Sequence, residues 1–88
     1  MSWTVTEGIE FEVACETITH MIALHIEAIW LEERKLLPDT ARIAVLDAAC
    51  LRLADERRSL RPNHRDQIKR VFDTYGPIIR ANLGTTKG

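Results

Sequence analysis

Phe11, Cys15, Ile18, Ile22, His25 and Ile29 follow one another at alternating spacings of four and three, and Leu36 continues the series one heptad later. This repeat keeps one stripe of an α-helix apolar, in the manner of a coiled coil. Glu12, Glu16, Thr19, His20, Glu27 and Arg34 fall on the opposite, solvated side. The pattern predicts a helix over 7–36, capped by Thr6, with Glu7 in the first turn where the helix dipole favours an acid. Pro38 forbids its continuation.

A second stripe, Ile43, Leu46, Cys50 and Leu53, widened by Ala49 and Ala54, predicts a helix over 39–60 with Asp39 or Thr40 as cap. A third, Ile68, Val71, Phe72, Tyr75, Ile78 and Ile79, predicts one over 63–83, capped by Asn63 with Asp66 at the capping-box position. Gly76-Pro77 is expected to kink this helix and Gly84 to end it, leaving 85–88 as a mobile tail. Ser2 to Thr6 alternate in a strand-like way, with Trp3 and Val5 on one side, and residues 1–6 are expected to form an extended arm. The fold class is therefore an all-α, single-domain, three-helix bundle. Its long first helix should form an antiparallel hairpin with the second, because the link at Leu37-Pro38 is short. In that hairpin Ile29 should face Leu46, His25 face Cys50, Ile22 face Leu53 and Ile18 face Arg57.

The first helix is also apolar away from its stripe, at Val13, Leu24 and Leu31, with Met21 and Ala28 between. That arc exceeds what a surface helix needs to bury against its own domain. Unless the third helix covers all of it, the surplus is an interface. The expected contact surface is Val13, Met21, Leu24, Ala28 and Leu31, with Trp30 as an aromatic anchor. A homodimer built on the first helix, or docking of that helix on a larger protein, would cover it.

Composition narrows the classes. With 88 residues, 45% of them hydrophobic, the chain is one small globular domain and not a disordered one. No apolar run approaches a bilayer-spanning length, and Met1 to Glu7 lacks the basic start and apolar core of a signal peptide, which points to the cytoplasm. Net charge is −1, but residues 1–36 carry −5 and residues 37–88 carry +4. Such asymmetry suits self-association or steering toward a charged partner.

Chemistry is sparse. His25 opposite Cys50 could form a thiolate–imidazolium pair, but no acid is placed to orient the imidazole, so two stripe residues meeting by register is the simpler reading. Glu12, Glu16 and His20 share a face at i,i+4, yet the chain repeats no such set on another helix, and a solvated charged face explains them. Cys15 and Cys50 lie too far apart along the hairpin for a disulfide. Arg57, Arg58, Arg61, Arg65 and Lys69, with His64 and Arg70, gather about the second turn and are candidate phosphate contacts, although Asp55, Glu56, Asp66 and Asp73 interleave. There is no Gly-rich phosphate loop, Ser-centred elbow or CxxC motif. The reading is a non-enzymatic regulatory protein without cofactor or metal that acts by protein–protein interaction. It would be an inhibitor, antiactivator or adaptor, for example of a transcriptional regulator or nuclease complex. Nucleic-acid binding through the basic turn is the alternative, and a metal- or thiol-dependent enzyme comes third.

Overall fold

The computed structural model describes residues 4–86 and holds three helices, α1 (Val5–Glu33), α2 (Thr40–Ser59) and α3 (Arg65–Thr86), with no strand among the described residues. The expected all-α, three-helix class is correct. Met1 to Trp3 of the expected arm, and Lys87 and Gly88 of the expected tail, lie outside the described residues.

Local chemistry sets each boundary. α1 starts earlier than its apolar stripe suggests because Thr4, not Thr6, is the cap. Thr4 Oγ1 accepts the Glu7 N–H at 3.1 Å, and Glu7 Oε1 accepts the Thr4 N–H at 2.8 Å, a closed capping box. Val5 and Thr6 are thus helical and not part of an arm. α1 stops at Glu33 with Arg34 as C-cap, so Leu36 leaves the stripe and stands 98% exposed. Asp39 caps α2 by accepting the Arg42 N–H at 3.1 Å. α3 opens at Arg65, one turn-position later than an Asn63 cap requires, since the Ile68 N–H bonds the His64 carbonyl at 2.9 Å. It continues as helix through Pro77 and past Gly84, so Thr85 and Thr86 belong to α3 and not to a tail.

α2 and α3 each pack closely along α1, and meet each other through side chains such as Tyr75 and Glu56. The chain measures 54 × 29 × 14 Å, so the bundle is opened into a nearly flat array with α1 in the middle. Its radius of gyration of 15.2 Å exceeds the roughly 12 Å of a compact domain of this length. Its accessible surface of 6462 Å² likewise exceeds the roughly 5300 Å² of an ordinary monomer of 10.1 kDa.

The dry core sits at one end. Its buried apolar side chains are Ala14, Ile18 and Met21 from α1, Leu53 and Leu60 from the end of α2 and its cap, and Ile68 and Val71 from the start of α3. The half built from the end of α1, the following turn, the start of α2 and the end of α3 contributes no fully buried apolar side chain among the described residues.

Candidate interaction surface

The side of α1 that faces the core is Phe11, Ala14, Ile18, Met21, His25 and Ala28, ending on Glu32. This stripe is rotated by one position from the expected one: Ala14 and Met21 take the centre, and Cys15 and Ile22 move to its edge. Two neighbours cause the rotation. α2 approaches on the side of Cys15 and α3 on the side of Glu10, so the seam falls between, and Ala14 is small enough to let the backbones close over it.

The rotation divides the expected contact surface. Val13, Trp30 and Leu31 are exposed, at 44%, 53% and 53%. Leu24 and Ala28 are half-buried, Leu24 packing against the core. Met21 is corrected: at 5% exposure it is a core side chain, wedged where all three helices meet, and cannot meet a partner. The structure adds what the stripe reading missed. Ile26, Leu36, Leu37, Val45 and Leu51 are each more than half exposed, and all belong to the coreless half. Apolar residues surround α2 as well as α1: Ala41, Ala44, Val45, Ala48 and Leu51 are all exposed on its outer side, while Ile43, Leu46 and Leu53 turn inward. Apolar helices of this kind are normally covered on both sides.

One polar group anchors this half. Glu32 is 4% exposed, and its Oε2 accepts the Asp39 N–H at 2.9 Å. Its Oε1 lies 3.0 Å from Lys35 Nζ and 3.5 Å from Arg42 Nε. The Asp39 hydrogen bond, then Lys35, hold its carboxyl below the ordinary range, against the opposing effect of burial. The carboxylate thus ties the end of α1 to the cap of α2 and sets the turn. Lys35 three residues after Glu32 is the only hint in the sequence. Next to it the Arg34 guanidinium lies 4.3 Å above the ring of the exposed Trp30.

Elsewhere the candidate chemistry disperses. Neither thiol is activated: burial, first, raises both Cys15 and Cys50, with Arg57 opposing at Cys15 and Asp47 adding at Cys50. His25 uses Nδ1 on the Met21 carbonyl at 2.8 Å. Its ring borders a cavity of about 210 Å³ with Met21, Ala49, Arg52, Leu53, Glu56 and Tyr75, a wall that does not include Cys50. Glu12 and Glu16 are exposed beside Arg57, Arg58 and Arg61, and no group of three His, Cys, Asp or Glu side chains among the described residues is placed to hold a metal. Most of the basic cluster is engaged inside the chain. Arg58 pairs with Asp55, Arg65 with Glu7 at 2.9 Å and Lys69 with Asp73 at 2.7 Å. Arg61 donates to the carbonyls of Arg58 and Leu60. No helix among the described residues is long and apolar enough to cross a membrane.

No protein-family model, no curated protein and no solved structure matches this chain.

Proposed function

We propose that this is a cytoplasmic, non-enzymatic regulatory protein that works by occupying the surface of another protein, as an inhibitor, antiactivator or adaptor would. One observation carries the reading: the chain exposes about 1,200 Å² more than an ordinary monomer of its mass, and much of the apolar part lies on α1 and α2. Exposed apolar side chains grouped on an open surface are characteristic of interfaces. Catalysis has no comparable support, since burial raises both thiols away from the thiolate form and Arg58, Arg65 and Lys69 are each paired with an acid. The same pairing counts against phosphate binding at the second turn, because each engaged guanidinium would have to give up an acid to reach a phosphate.

The exposed edge of α1 tests this reading. The wild-type chain and a Val13→Glu/Leu31→Glu variant, each immobilised, are offered the same native extract, and retained proteins are identified by mass spectrometry. Both positions face solvent, so the variant keeps its helix content by circular dichroism. A protein held by the wild type and released by the variant is the expected result. Identical retention by the two chains would remove α1 as the docking edge.

A further inference from the structure

Resting on that interaction reading, we propose that the coreless half of the molecule is the interface with a second copy of this chain, two α1–α2 hairpins closing into a four-helix bundle. The division of the core points to it. From Ile22 onward α1 buries only Glu32, and before Leu53 α2 buries no side chain fully. Two helical segments joined by a six-residue turn and lacking a dry seam have little to hold them in water, because short helices depend on packing. Ile26, Trp30, Leu31, Leu37, Val45 and Leu51 supply the missing apolar side chains, but they face outward.

Area and charge favour a second copy as the occupant. Each chain exposes about 1,200 Å² more total surface than an average monomer of its mass, enough for each copy to give up the ~800 Å² that one partner buries in a standard-size interface. Residues 22–52 and 74–83 carry five acids, Glu27, Glu32, Glu33, Asp39 and Asp47, against five bases, Arg34, Lys35, Arg42, Arg52 and Arg80. Identical surfaces with no net charge meet without like-charge repulsion, as a two-fold contact requires. A hairpin that is apolar on both sides is also half of an up-down four-helix bundle, whose core the second hairpin completes.

Sedimentation of the full chain across a wide concentration range tests this. The wild type is expected at twice the 10.1 kDa chain mass, with a melting temperature that rises with concentration. Leu37→Glu/Val45→Glu places two carboxylates in the interface and should weaken the dimer by at least ~100-fold. Ile9→Glu, also exposed but at the cored end, should leave it intact. A wild type at single-chain mass with a concentration-independent melting temperature overturns the proposal, even if the double variant fails to fold. So does a double variant that dimerises as tightly as the wild type. A monomeric wild type that still retains an extract protein through Val13 and Leu31 would refute the dimer alone; a dimer that retains nothing would refute the regulatory reading alone.

Discussion

Two side chains show how a single contact fixes behaviour that composition does not reveal. The phenol of Tyr75 donates to Glu56 Oε1 at 2.6 Å, joining α3 to α2 across the cavity. Burial, then this bond, pushes its ionisation up to about 12 from the ordinary 10.0. A raised folded value means the bond contributes fully below pH 10.0 and is lost as pH climbs toward 12. As the chain has one tyrosine, phenolate absorbance reports it alone: the native protein should titrate near 12, and the chain in denaturant near 10.0. Tyr75→Phe should cost about 1 kcal/mol at neutral pH, read from denaturant unfolding. Glu32 has the opposite sign. Its folded value lies below the ordinary 4.5, so its contribution is complete above that pH and disappears as pH falls through the lower value. Glu32→Gln should lower the melting temperature at neutral pH and flatten the loss of stability below pH 4.5, both read from thermal melts.

At the scale of elements, the three helices are stabilised in different ways. α1 is held at its start by the Thr4–Glu7 box, reinforced by Arg65 of α3 on the same Glu7 carboxylate. α2 is held at its start by Asp39, itself bonded to Glu32. α3 keeps its polar and apolar sides separate but carries Gly76 and Pro77 in its interior, the two residues least suited to a helix. Gly76 needs no positive φ, but it directly precedes Pro77, whose Cδ crowds the Cβ of any other residue held helical at that position. A Cβ there would lie 3.3 Å from the Arg80 guanidinium, the far end of a flexible side chain that can move aside. Gly76→Ala should therefore change stability by less than about 0.5 kcal/mol, the better helix propensity of Ala being offset by its crowding against Pro77, measured by chemical unfolding.

The whole molecule is governed by where α1 lies. Because it is the middle helix of a flat array, it supplies the core on one side and an exposed ridge on the other. Val45 and Ile78 accordingly stand 65% and 46% exposed. The shape is measurable. Small-angle scattering from the Leu37→Glu/Val45→Glu monomer should give a radius of gyration near 15.2 Å, whereas a closed bundle would approach 12 Å. The proposed binding rests on that openness, since on contact a second core would form and the exposed half would lose its water.

The helices and their order were legible in the amino-acid sequence because periodicity, Pro38, Arg61-Pro62 and the cap at Asp39 are local signals that depend on no neighbour. So was the surplus of apolar residues on α1. The start of α1 was also written there, in the capping-box spacing of Thr4 and Glu7, although Thr6 lies nearer the apolar stripe. Tertiary structure alone decided which residues of that surplus are dry. Met21, Leu24 and Leu31 are alike in hydrophobicity, and only the angle at which α2 and α3 straddle α1 sends the first into the core, the second to its edge and the third into solvent. Burying Glu32 likewise required the Asp39 amide, Lys35 and Arg42 to converge on one carboxylate, which a turn brings about and a linear pattern does not.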